Sequence, residues 1–473
     1  MQRQRWLVQT DGKRVNSAAG TKRGMPPYLL IMDLAFSALF ILCSEVLYLG
    51  LDGVWRFFML FLPLFWHWAV IVARLNMCDA EDICSDVYVL LIMVCGVSAA
   101  ISLPDCFCSI DRNRHTVNSM PLCSMQSTAE NNLPTSVDHT CESEFHVGQG
   151  ISGCTGFAMS YVAMRLVSSC MVLRMGVHVV HARALVRRDA VAWLFNLPLL
   201  YFLARGKLGT TGAEVYNGVL LFVSGVADLL TQALPSLLTL CRVTLPPSFE
   251  SRIPLNVPHL EARYERMLTI SLGNLISTTI TDVRSTTPHF DGRSIRAALA
   301  VPLVAMLIKI FYFDLSPQFG GSGSSSGSGA LHALHASAFR GAVWAMLQGP
   351  LQAILRWLAV ASMVQVAPKH VGRASQSNTD ARWSLVSASV CFMLVITALH
   401  ATHKGEGHPN RKMSKTARFA MRGIWILIML IVGATVSTCV REPMFWLVVG
   451  SMYALAALEL WGRGFSWRQE QIA

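Results

Sequence analysis

Residues 28–50 read YLLIMDLAFSALFILCSEVLYLG, an apolar run broken only by Asp33 and Glu45. About 20 apolar residues suffice to span a bilayer. In lipid, every backbone N–H and C=O must be satisfied within its own segment, so the run predicts a helix. It is too long for the core of a secretory signal and reads as an uncleaved first span. Comparable runs follow at 54–74, 87–103, 151–177, 190–204, 217–241, 267–281, 296–313, 341–366, 384–401, 418–438 and 443–462, the fifth and seventh being short. The fold class is therefore all-α, a polytopic transmembrane helical bundle of about 12 spans, with the lipid bilayer as partner of most side chains.

Composition agrees. The 473 residues are 53% hydrophobic and 14% charged, against about 25% charged in soluble domains. The net charge of +11 would suggest nucleic acid in a soluble chain. Here the basic residues gather between spans, without an interleaved aromatic–basic stripe or zinc-finger spacing, so no nucleic-acid partner is expected.

Lys and Arg also set the expected orientation. The tail 1–27 carries Arg3, Arg5, Lys13, Arg14, Lys22 and Arg23 against Asp11 alone. Placing it in the cytoplasm places the basic loops 178–189, 242–266 and 403–418 there too, with the C-terminal tail 463–473. Both termini are then cytoplasmic. Spans one to six form a first half, 28–241, and spans seven to twelve a second, 267–462, joined through 242–266. Six-plus-six division is the architecture of two-repeat transporters. An Arg-rich, acid-poor tail is also the composition of a mitochondrial transit peptide. The plasma membrane or an endomembrane is preferred over the mitochondrion.

Two loops stand apart. Residues 104–150, on the non-cytoplasmic side, hold Cys106, Cys108, Cys123 and Cys141, with Cys154 just beyond. In an oxidising compartment at least one disulfide is expected among these five, with connectivity open. Residues 320–329, GGSGSSSGSG, form a flexible linker by composition.

The ionisable residues inside spans carry the functional question, because burying them in lipid is costly. Asp33 is either an ion or proton site or a structural contact between helices. The fourth span places Phe157, Tyr161 and Arg165 four apart, on one helical face. Arg165, near mid-span, needs a counter-charge, and Asp33 or Asp228 of the sixth span can supply it. Arg356 also lies deep, whereas Lys309 can snorkel to the interface. The stretch ARLNMCDAEDICSD, 73–86, groups Asp79, Glu81, Asp82 and Asp86. These fit no EF-hand and read better as an acidic first turn complementing the helix dipole than as a cation site. The segment HLEARYERMLTISLGN, 259–274, has a charged start, then Gly273, which permits close helix packing, and the amide of Asn274. His332 and His335 lack a third ligand. With no metal constellation, phosphate loop or nucleophile–base pair, no metal, no cofactor and no enzymatic activity are expected.

Taken in order, these stretches resemble the low temperature requirement A (LtrA) membrane proteins. The family's ELFFDLVFVxAI resembles LIMDLAFSALF through Asp33, Leu34 and Phe36. Its Trp-rich span followed by NRFDTDD resembles the region of Trp66 and Trp68 with Asn76, Asp79 and Asp82. Its FxxxYxxxR is matched by Phe157, Tyr161 and Arg165. Its HLxERFGLxxIIxLGE resembles 259–274 through His259, Leu260, Arg263, Tyr264, Leu272 and Gly273, and its YFD matches Tyr312, Phe313 and Asp314. Three positions depart: the leading acid of the first motif is absent, Ala262 replaces the acid before Arg263, and Asn274 replaces the Glu after Leu-Gly. The resemblance covers 28–460 and implies a multi-pass membrane protein linked by name to growth in the cold. The expected function is a transporter or channel-like protein for a small solute or ion. The alternative is a non-transporting scaffold or a sensor of bilayer state.

Overall fold

The computed structural model describes residues 27–49, 51–77, 83–115, 149–178, 182–204, 219, 221–227, 230, 257–286, 292–314, 333, 338–366, 378–403, 413–435 and 441–462. Among the described residues there are eleven α-helices, a 3₁₀ turn, a π turn and no strand. The helices are α1 (Pro27–Ser44), α2 (Leu51–Met77), α3 (Ile83–His115), α4 (Gln149–His178), α5 (Arg183–Ala204), α6 (Val257–Thr286), α7 (Gly292–Lys309), α8 (Ala338–Val366), α9 (Asn378–Thr402), α10 (Lys415–Thr435) and α11 (Arg441–Gly462). The 3₁₀ turn Glu45–Leu49 extends α1, and the π turn Ile310–Asp314 extends α7.

Among the described residues, seven helices are long and apolar enough to cross a membrane: α1 with its 3₁₀ turn, α2, α3, α4, α9, α10 and α11. The ninth apolar run of the sequence, α8, is not among them, for a physical reason. Every side chain from Leu351 to Val366 is buried. Surrounded by protein on all sides, α8 carries Gln348, Gln352, Arg356, Ser362 and Gln365 in its buried surface. A hydropathy threshold measures the cost of contact with lipid, which this helix hardly makes. It packs against α1, α2, α6, α7, α9 and α11.

The peripheral helices show the opposite pattern. In α10, Arg418, Arg422, Trp425, Met429 and Gly433 form the inward stripe, at helical spacing. Ile424, Leu427, Ile428, Leu430 and Ile431 point outward and are exposed. Contiguous outward apolar surface of this kind is matched to hydrocarbon rather than to water. Between α1 and α2 the core is aromatic. Phe57, Phe61 and Phe65 repeat every four residues, and the Phe40 ring of α1 lies 4.8 Å from that of Phe61. Tilted contacts of this kind suit the quadrupoles of aromatic rings.

Three boundaries differ from the sequence reading. The seventh apolar run belongs to a longer helix: α6 is continuous over 30 residues and includes the charged start, which lies outside the apolar run. The fifth begins earlier, at Arg183. The loop 104–150 is partly helical, since α3 continues to His115 and α4 starts at Gln149. Gly273 is a correction: a Cβ there would meet nothing within 4 Å, so it permits no close packing. The close approach is at Gly225, where a Cβ would lie 2.6 Å from the Pro63 Cα of α2.

Candidate functional site

Asp33 sits about 9 Å into α1 from its start, at 1.5 Å per residue, and is fully buried. Arg263, equally far into α6, donates from Nη2 to Asp33 Oδ1 at 2.6 Å. The Trp68 indole N–H of α2 donates to the same oxygen at 3.0 Å. The first turns of α1 and α6 and the last turns of α2 are thus tied together by a charge-assisted pair. Asp33 Oδ2 and Arg263 Nε and Nη1 make no hydrogen bond among the described residues. The expected pairing of Arg165 with Asp33 is overturned, because Arg263 occupies the carboxylate.

The tie extends along the seam. The His259 Nδ1 of α6 lies 3.0 Å from Asn76 Oδ1 of α2. Asn274 donates to Ser37 Oγ at 2.8 Å, one turn beyond Asp33 on α1. Tyr264 packs edge-on against Trp68, with ring centroids 5.4 Å apart. The stretches separated in sequence as motifs around Asp33, Trp68, Asn76 and His259–Tyr264 therefore meet at one end of the bundle.

Two further buried ion pairs close other helix junctions at the same end. Arg74 of α2 bonds Asp189 at the start of α5, and also Ser168 of α4. Arg422 of α10 holds Glu459 of α11 with both ends of its fork, Nε and Nη2 each at 2.6 Å, while its Nη1 faces His400 Nδ1 of α9 at 3.0 Å. Sequence reasoning missed Asp189, Arg422 and Glu459. Its available signal was that Arg422 and Glu459 each fall within an apolar run.

Arg165 is buried in α4, with its guanidinium 5.8 Å from the Trp193 ring of α5. Tyr161, one turn earlier, lies 3.4 Å from Ser224, which in turn bonds Asn196 of α5. The rival partner Asp228 lies outside the described residues, as do Asp79, Asp82, Cys123, Cys141, His332 and His335. Cys106, Cys108, Cys154 and Asp314 lie in helical segments, but their side chains are outside the described residues. Among the described residues, Cys43, Cys95, Cys170 and Cys391 are free thiols.

Glu261 and Glu265, on the charged turns that precede the apolar part of α6, line a small cavity with Tyr312, Trp344, Ile396, Leu399, His400 and His403. It offers about 20 Å³ to the centres of water molecules, room for at least one. Burial, and then repulsion from Glu265, pushes the Glu261 carboxyl up to about 7. Burial also raises Glu265. His259 is lowered by burial and then by the nearby Arg263 and Arg266.

From this cavity a polar stripe follows α8 inward. Tyr312 donates to Gln348 Oε1 at 3.3 Å. Gln352 and Arg356 follow at four-residue spacing on the same face, and all three are buried. Arg356 Nη2 donates to Ser271 Oγ of α6 at 3.3 Å. Its guanidinium lies 5.9 Å from each of the Phe40 and Phe61 rings.

An all-helical bundle with lipid-matched outer faces and ion pairs sealed inside it is a multi-pass integral membrane protein. The family model described as bacterial low temperature requirement A protein (LtrA) matches residues 30–455, and the chain belongs to that family. No curated protein and no solved structure matches it.

Proposed function

We propose that this protein is a transporter or channel-like protein for a small solute or ion. The observation that carries this reading is the stripe Gln348–Gln352–Arg356 on α8. It runs about 12 Å along the helix at 1.5 Å per residue, from the cavity toward the middle of the bundle. Gln348 Nε2, Gln352 Oε1 and Arg356 Nε and Nη1 are buried and make no hydrogen bond among the described residues. Orphaned polar atoms at this depth cost free energy unless they meet water or a solute, and buried ionisable groups in membrane bundles mark solute and ion routes. We further propose twelve crossings, with the end that holds the three ion pairs facing the cytoplasm. The positive-inside distribution of loops supports that choice.

The reading is tested with purified protein in proteoliposomes, following K⁺, Cl⁻ and proton flux. Arg356→Gln and Gln352→Leu should each lower the flux at least tenfold with normal insertion. Wild-type flux in both variants removes the stripe from the mechanism. The non-transporting reading has one observation in its favour: Asp33, Arg74 and Arg422 each sit in a closed ion pair, which serves to fix helices. It predicts no flux of any of the three ions, and graded loss of stability across the polar substitutions.

A further inference from the structure

Four of the buried arginines differ in one respect. Arg74, Arg263 and Arg422 each lie against a buried carboxylate: Asp189, Asp33 and Glu459. Arg356 does not. It is fully buried, and no carboxylate pairs with it among the described residues. A buried cation without a counter-charge keeps most of its desolvation penalty uncompensated.

Its surroundings donate more than they accept. One N–H of Arg356 goes to Ser271 Oγ, so the Ser271 hydroxyl proton remains available to a further acceptor. Arg356 Nε and Nη1 are open donors. The faces of Phe40 and Phe61 attract the cation but cannot cancel its charge. Gln352 Oε1 is the nearby orphan acceptor, and a neutral amide cannot cancel it either.

We infer that Arg356 and Ser271 form a binding site for a small monovalent anion, and that such an anion is the species the polar route carries. A single positive charge calls for a single negative one, and a divalent ion would leave the opposite imbalance. This inference rests on the transport reading only in its second half; the site stands on its own geometry.

The test is a thermal-unfolding titration of the full-length protein in detergent at constant ionic strength. Sodium gluconate, whose anion is a bulky polyhydroxy carboxylate, is exchanged stepwise for chloride, nitrate or bicarbonate. A ligand that binds only the folded state raises the midpoint with concentration. The expected result is a saturable rise with at least one of these anions in the wild type and none in Arg356→Gln. In Ser271→Ala, a mild substitution that keeps the fold, the titration should shift to several-fold higher concentration. In gluconate alone, Arg356→Gln should unfold no earlier than the wild type, because it removes the uncompensated charge. No saturable rise with any of the three anions overturns the site. An equal rise in Arg356→Gln does so too, since it reports adventitious surface binding. Flux separates the two claims. Anion binding without flux defeats transport and keeps the site, whereas flux of another solute without anion binding defeats the site and keeps transport.

Discussion

Replacing Arg263 with Met leaves the methylene stem in place and strands the Asp33 carboxylate. Both side chains are buried, at 1% and 0% exposure, and their contact is 2.6 Å. Removing one partner of such a pair costs about 3–5 kcal/mol, because the survivor is a buried, uncompensated charge. Asp33→Asn in the same background removes that charge and keeps an oxygen to accept from Trp68. The double variant should therefore recover most of the loss, leaving about 1–2 kcal/mol for the missing hydrogen bond. Asp33→Asn alone strands the Arg263 cation in turn, so the coupling between the two positions should be at least about 2–3 kcal/mol, well above the 0.3–0.5 kcal/mol within which independent sites add. Denaturant unfolding of detergent-purified variants, followed by tryptophan fluorescence, measures all four corners of the cycle. Arg165→Leu is the control: Asp33→Asn should not rescue it, since Asp33 is already taken. Rescue of Arg165→Leu by Asp33→Asn, or additivity of Arg263→Met with Asp33→Asn, would refute the assignment.

Arg422→Lys should destabilise by at least about 1–2 kcal/mol, although it keeps the charge, because an ammonium cannot reproduce the two-pronged bond to Glu459; the same unfolding assay decides. The pH dependence follows from Glu261, whose folded carboxyl is raised to about 7 by burial and Glu265. A raised acid stabilises below its unfolded pKa of 4.5 and loses that stability as pH rises through the folded value. Stability should therefore fall between about pH 4.5 and 7, and Glu261→Gln should flatten the slope in a thermal-unfolding series. Two glycines should behave oppositely. Gly225→Ala forces a Cβ against Pro63 and should lower expression and thermal stability, whereas Gly273→Ala meets open space and should be neutral or gain up to about 1 kcal/mol in helix propensity. A single cysteine at residue 410 should resist impermeant thiol reagents from outside intact cells and react after permeabilisation; labelling from outside reverses the topology.

The sequence by itself determined the fold class. Recurrent apolar runs admit only helices in lipid, and that argument needs no knowledge of neighbours. It also picked out Asp33, Arg165 and Arg356 as residues requiring an explanation, because the cost of a buried charge depends on depth along one segment. It did not determine which charge meets which. Asp33 and Arg263 are 230 positions apart, and only helix packing brings the seventh residue of α1 beside the seventh of α6. Arg422 and Glu459 were missed although each falls within an apolar run, because a linear pattern carries depth but not facing; the bundle turns both inward. The same blindness hid the centre of the molecule. The most enclosed stretch, α8, is diluted by glutamines and an arginine that lipid would reject, and only the tertiary structure shows that protein, not lipid, surrounds them.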